Sequence, residues 1–300
     1  MPERVIDGTG SGPLDLLAEQ LWLPSMPDDN TRVVLNPADD PAWRTHEQYW
    51  VIPSAAHARL LVPAGPTAAA RGALINYQRL RRWRPRSVRL AAGQAARFAL
   101  PLAPDQIAVQ SRVQSSPPAL PLASIADALG DQTLHASIGV RTGANRKATL
   151  QLVDDHGTPQ GYAKLAWTDA TAEGILTEAS NLEVVGGSAG VARAPGLLAS
   201  GQIAGHPYLV SAPLPASAAS PKRTDPLPTP QELASLCPIH RRAPARDTRH
   251  FDALTTRVDA VLATTTVDRD LGATMRDVAD RVAKADAVLP ITERWHGDLA

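Results

Sequence analysis

Three charged residues lie in sequence surroundings that call for a chemical explanation. Lys164 lies within the apolar run Tyr162–Trp167, where burial of an unpaired ammonium group would be costly. Glu178 lies on the flank of the apolar face of a helix predicted over residues 171–185. Asp298 ends a His-Gly-Asp tripeptide that follows a short apolar segment. A cation for phosphate groups and a carboxylate that orients a hydroxyl suit phosphoryl transfer. An exposed lysine on a solvated strand is the alternative for Lys164.

Residues 131–213 contain the elements that must position Lys164 and Glu178. Alternating apolar residues predict five strands. A helix is predicted after the third strand, with Thr168 or Asp169 as its N-cap and a Gly-Gly pair after its end. In chain order the predicted elements are the strands Leu134–Val140, Lys147–Val153 and Gly161–Trp167, the helix Thr171–Val185, and the strands Leu197–Ile203 and Pro207–Ser211.

The regions on either side differ from this segment. Residues 1–130 are predicted to contain a helix, three strands and a long helical run that is interrupted at Pro85; these are Asp15–Trp22, Thr31–Leu35, Gln48–Pro53, Ala58–Val62 and Thr67 to about Leu100. Residues 214–229 are rich in proline and predict a linker or surface loop. The rest is predicted to be mostly helical, over Pro230–Leu236, Asp247–Ala263 and Asp268–Ala287.

The order of these elements resembles the small lobe of a kinase fold followed by the start of a helical large lobe. Together with His-Gly-Asp at its end, the segment 131–300 is similar to the aminoglycoside phosphotransferase and choline kinase-like superfamily. Residues 1–130 resemble the cap regions of bacterial maltokinases. We therefore expect an α+β protein with an α+β cap domain (1–130), a small lobe of five antiparallel strands and one helix (131–213), and a linker with an incomplete helical lobe (214–300).

The resemblance implies a role for each of the charged residues. Asp298 would be the catalytic base that orients the attacking hydroxyl, and His296 would support its loop by hydrogen bonding. Lys164 would contact the α- and β-phosphates of ATP, and Glu178 would be its partner on the helix. Glu183 lies on the other flank of the same helix and is the rival candidate for that partner.

The resemblance also implies nucleotide contacts outside these residues. The turn Arg141–Lys147 would cover the triphosphate, with Gly143 and Asn145 nearest to it, although an ordinary hairpin is an equal interpretation. Ser211 would lie where backbone groups meet the adenine. ATP and Mg²⁺ are the expected cofactors. The family's magnesium ligands, an Asn after His-Gly-Asp and a later Asp, would lie beyond Ala300, so no metal ligand is assigned and we expect no turnover from this chain alone.

Composition narrows the classes of partner. The chain has 300 residues, a formal net charge of +0 and a pI of about 7.1, so no overall positive field favours nucleic acid. The single cysteine, Cys237, excludes an intramolecular disulfide. The N-terminus lacks the pattern of a secretory signal, which predicts a cytoplasmic protein. The expected acceptor is a hydroxyl of a sugar, amino sugar or amino alcohol, and the oligomeric state is left open.

Two other functions fit the same sequence. A non-catalytic, kinase-like module would bind a partner or a nucleotide without transferring phosphate. An accessory protein of polysaccharide biosynthesis would instead contact membrane surfaces through the basic stretch Arg71–Arg97, because a basic amphipathic helix can lie on an anionic bilayer. An ordinary solvated helix face explains that stretch equally.

Overall fold

The computed structural model describes residues 3–26, 29–76, 93–94, 96, 101–130, 133–140, 148–185, 194–214, 229, 239–263, 268–285 and 288–292. These residues form two compact units, each of which is considered separately. The first unit consists of the described parts of residues 1–187 and 194–225, and the second of the described parts of residues 226–300.

One large antiparallel sheet forms the framework of the first unit. Its described strands number ten and lie in the order β1-β2-β5-β3-β4-β6-β7-β8-β10-β9. Their bounds are β1 Arg4–Ile6, β2 Thr31–Leu35, β3 Trp43–Ile52, β4 Leu60–Pro63, β5 Asp105–Arg112, β6 His135–Gly139, β7 Ala148–Val153, β8 Pro159–Leu165, β9 Leu197–Ile203 and β10 His206–Ser211.

Helices cover both faces of this sheet. The helices are α1 Pro13–Leu21, α2 Thr67–Asn76, α3 Pro121–Leu129 and α4 Asp169–Val185. The larger core lies on one face, which we call the core face, where α1 and α3 pack on apolar residues from most of the strands. On the opposite face, α2 packs on Leu60 and Val62 of β4, and α4 packs on Leu209 of β10.

The sequence predicted the α+β class and most of the strands, but it predicted a separate five-stranded sheet for residues 131–213. Instead β6 to β10 form one half of the ten-stranded sheet, because β4 pairs with β6 through Leu60↔Gly139 and Leu61↔Ile138. β1, β5 and α3 were not predicted. β5 pairs with β2 and β3, and local sequence does not encode such long-range partners.

The second unit combines two strands and two helices. β11 (Ile239–Pro244) pairs antiparallel with β12 (Val288–Thr292). The helices α5 (Arg249–Leu262) and α6 (Arg269–Lys284) lie within the predicted helical segments. The helix predicted at 230–236 lies outside the described residues. Within the described part of the chain, no helix combines the length and apolar character needed to cross a membrane.

A carboxyl group is buried in the core of the first unit. Glu47 follows a β-bulge in β3 and is 9% exposed. Its Oε2 atom accepts hydrogen bonds from Trp22 Nε1 (3.1 Å) and from the hydroxyl of Tyr49 (2.7 Å). Among the described residues, its Oε1 atom has no hydrogen-bond partner. Burial raises the pKa of Glu47, although the two hydrogen bonds oppose that rise.

We expect Glu47 to make the protein less stable as the pH rises. A carboxyl whose pKa is raised by folding binds more protons in the folded state, so its contribution to stability is complete below its usual pKa of 4.5 and is lost as the pH rises through its folded pKa. Glu47→Gln keeps a hydrogen-bond acceptor and removes this dependence. Urea unfolding measured at several pH values should show the variant gaining stability relative to wild type above pH 4.5.

The control for this prediction is Glu19→Gln, because Glu19 is exposed on α1, near Trp22. It should follow the wild-type pH dependence. If Glu47→Gln also ran parallel to wild type at every pH, Glu47 would titrate in the folded protein as it does in the unfolded chain.

A backbone contact fixes the position of α2 against the sheet. Gly72 of α2 lies on Gly157 in the turn between β7 and β8, where a Cβ atom on Gly72 would overlap the carbonyl group of Gly157. Gly157 has φ +78°, and a Cβ atom there would overlap the carbonyl oxygen of Ala68. Both positions therefore need glycine, and α2 reaches the turn only because neither residue has a side chain.

Gly157→Ala should lower the free energy of unfolding by about 3 kcal/mol or more, since it adds a backbone clash to the cost of a positive φ. Gly205 is the matched control, because it also lies in a hairpin turn, has φ +81°, and has open space where its Cβ would be. Gly205→Ala should cost roughly 1–2 kcal/mol. Equal losses in urea unfolding would mean that α2 does not depend on this contact.

Candidate functional site

Strand β8 directs Lys164 to the face of the sheet that carries α2 and α4. Ala163 and Leu165 belong to the core on the other face, and side chains alternate along a strand. Lys164 pairs with Thr149 of β7 on one side and with Leu209 of β10 on the other. The lysine therefore lies in a central strand, with hydrogen-bonded neighbours on both sides.

Helix α4 brings Glu178 to Lys164. Its residues Ile175 and Ala179 pack on Ala166 and Leu209 of the sheet, and this orientation turns Glu178 toward β8. Lys164 Nζ and Glu178 Oε1 are 2.5 Å apart. The two side chains are 33% and 31% exposed, so the pair is open to solvent while its helix is anchored by buried apolar residues.

Of the two candidate glutamates, Glu178 forms the ion pair with Lys164. Glu183 is exposed farther along α4 and lines a groove with Leu182 and the segment Gly196–Ser200. The Leu182 side of α4 faces β9, and this rotation of the helix leaves Glu183 away from Lys164.

The face around Lys164 is bounded by two helices. α4 contacts β8, β9 and β10, whereas α2 contacts β4, β6, β7 and β8. Tyr162 lies two residues before Lys164 and, by alternation, on the same face. Thus an N-terminal helix, α2, and a later helix, α4, lie on either side of the region that contains the ion pair.

Ser211 lies at the end of β10, next to β8. It is buried, and its hydroxyl donates a hydrogen bond to the carbonyl oxygen of Tyr162 at 3.4 Å. The backbone N–H of Ala212 donates to the carbonyl of Gly196 at 2.8 Å. The Ser211 hydroxyl therefore links β8 and β10. The predicted contact with the adenine near Ser211 would be made by backbone groups.

Several predicted site residues lie outside the described residues. Gly143 and Asn145 belong to the segment 141–147, and His296 and Asp298 to the segment 293–300. Of the arginines in the basic stretch Arg71–Arg97, Arg71 lies within the described residues and is exposed on α2. Within the described part of the chain, no group of three or more His, Cys, Asp and Glu side chains is placed to hold a metal ion.

A pair of threonines at the start of α4 was only partly anticipated. Thr168 was one of the two predicted N-caps, but Thr171 was not assigned a role. In the structure Thr171 is 3% exposed, and its hydroxyl oxygen accepts hydrogen bonds from the backbone N–H groups of Trp167 (3.2 Å) and Thr168 (3.0 Å). The spacing Thr-x-x-Thr, close to that of a capping box, was the available signal.

No protein-family model, curated protein or solved structure matches this chain.

The ion pair should contribute little to stability. Lys164→Met and Glu178→Gln should each lower the free energy of unfolding by about 1 kcal/mol or less, because each side chain is about one-third exposed and solvent screens the pair. Ile175→Ala, on the buried face of the same helix, should cost about 2–5 kcal/mol. Urea unfolding of the three variants checks this order, and equal losses would identify the pair as a structural one.

Proposed function

We propose that this protein is an ATP-dependent phosphotransferase of the kinase-like type, acting on a hydroxyl of a sugar, amino sugar or amino alcohol. The observation that carries the proposal is the Lys164–Glu178 ion pair between a central strand and the adjacent helix. Phosphoryl transfer depends on a cation held against the phosphates. A lysine on a rigid strand, oriented by a carboxylate from a packed helix, provides such a cation.

The energetics of the pair support a role beyond folding. A partly exposed ion pair contributes little to stability and fixes a long lysine side chain at an entropic cost. About one-third of each side chain is exposed, so we expect the ammonium group to accept a third partner. A phosphate oxygen would supply that partner, and Glu178 would keep Nζ in place when the nucleotide leaves.

Strand register supports an order of subsites along β8. Tyr162 and its partner Ser211 lie two residues from Lys164, about 7 Å along the strand, which suits a ribose between the base and the phosphates. The segment 141–147, predicted to cover the phosphates, immediately precedes Ala148, and Ala148 pairs with Leu165 next to Lys164. The phosphates would thus lie at the Lys164 end and the base at the Ser211 end.

The remaining chemistry is assigned to residues outside the described ranges. Asp298 would accept or orient the proton of the acceptor hydroxyl, and His296 would hold its loop. Bound Mg²⁺ would neutralise charge on the phosphates. No described residue is assigned as its ligand, and Lys164 would act directly on the nucleotide.

Lys164→Met should weaken binding of Mg-ATP at least tenfold, because a hydrogen bond to a charged group contributes roughly 1.5–3 kcal/mol. Glu178→Gln should weaken it less, since the ammonium group remains. Isothermal titration calorimetry measures both affinities. Lys284→Met is the control, because Lys284 is exposed at the end of α6, and it should bind ATP as wild type does.

Turnover separates transfer from simple binding. In a version of the protein that includes the family's magnesium ligands, ADP release with a panel of sugars, amino sugars and amino alcohols identifies the acceptor. Lys164→Ala should abolish turnover, and Asp298→Asn should abolish it while ATP affinity stays within about twofold. Wild-type binding without turnover on any acceptor would favour the non-catalytic module. Absence of ATP binding by wild type would refute the proposal.

A further inference from the structure

We propose that Thr171 is a positioning residue that sets the Lys164–Glu178 ion pair through the joint between β8 and α4. The ion-pair part of this inference depends only on the fold, whereas its consequence for nucleotide binding rests on the proposed function. Thr171 touches neither charged group, so its effect must pass through the backbone. This joint consists of the three residues that follow Leu165, where β8 ends and α4 begins.

The hydroxyl of Thr171 holds the backbone of this joint. It accepts hydrogen bonds from the N–H groups of Trp167 and Thr168 at 3.2 and 3.0 Å, and it donates to the carbonyl oxygen of Thr168 at 2.9 Å. In return, the hydroxyl oxygen of Thr168 accepts from the N–H of Thr171 at 3.3 Å. Thr168 is the N-cap residue, so its N–H group is one that the helix itself cannot satisfy, and Trp167 is the residue before it.

The joint lies between the two charged residues along the chain. Lys164 precedes Trp167 by three residues, and Glu178 follows Thr171 by seven, which is two helical turns. Thr171 and Glu178 therefore lie on the same face of α4, and Ile175 between them is fully buried on the sheet. The direction in which α4 leaves β8 consequently determines where the Glu178 carboxylate lies relative to Lys164.

Two substitutions separate the hydroxyl from the shape of the side chain. Thr171→Val keeps the branched shape and leaves the N–H groups of Trp167 and Thr168 without their acceptor. Thr171→Ser keeps the hydroxyl and should rescue the joint. Thr177→Val is the matched control, because Thr177 is exposed on the same helix. Any general effect of valine on helix stability should therefore appear in both valine variants.

The test is the interaction free energy between Lys164 and Glu178, measured in each of these backgrounds. Lys164→Met, Glu178→Gln and the double variant form a double-mutant cycle in urea unfolding. In the wild-type, Thr171→Ser and Thr177→Val backgrounds, the cycle should show a coupling between Lys164 and Glu178 of about three- to fivefold in the unfolding equilibrium. With Thr171→Val, the coupling should fall to onefold within error. A coupling that survives Thr171→Val would overturn the inference, even if that variant were less stable.

A second measurement connects the joint to the nucleotide. Mg-ATP affinity should fall about three- to tenfold in Thr171→Val and remain at the wild-type value in Thr171→Ser and Thr177→Val. If wild type binds no ATP while the coupling changes as expected, the proposed function fails and the positioning role stands. If ATP binds and Thr171→Val affects neither affinity nor coupling, the proposed function stands and the positioning role fails.

Discussion

Side chains of β6, β7 and β8 alternate between the two faces of one continuous sheet, and this alternation determines which of them join the large core and which lie on the face of α2 and α4. Ala163 and Leu165 join the large core beneath α1 and α3, which leaves Lys164 on the opposite face. Because β8 has a hydrogen-bonded strand on each side, it cannot rotate to bury the lysine. The sheet therefore carries a cation, Lys164, on a central strand at a position that lies outside the large core.

Two carboxyl groups of the first unit show how differently the fold treats charge. Glu47 is buried and accepts hydrogen bonds from Trp22 and Tyr49, and burial raises its pKa. No ion pair joins it to a cation in the described part of the chain. Glu178 lies at the surface and pairs with Lys164. Deep burial disfavours a charged carboxylate, whereas partial exposure permits a charged pair. Glu47 is therefore held by hydrogen bonds within the core, and Glu178 by an ion pair that is open to solvent.

The N-terminal region is part of the same framework as the ion pair. β4 extends the sheet into β6, and α2 reaches the turn between β7 and β8 through the contact of Gly72 with Gly157. The strand that carries Lys164 begins just after that turn. Shared hydrogen bonds and close packing thus place residues 1–130 in the same sheet as Lys164, whereas the sequence suggested a separate cap.

Sequence alone was enough to predict the strands and the helix around Lys164, because period-2 and period-3.6 patterns are local, and the resemblance to kinase-like proteins singled out Lys164 and Glu178 as candidates. The predictions for Gly143, Asn145, His296 and Asp298 concern residues outside the described ranges. The tertiary structure was needed to show that Glu178, not Glu183, meets the lysine and that β1 and β5 complete one sheet. Those outcomes depend on helix rotation and on pairing between distant strands, which no local pattern encodes.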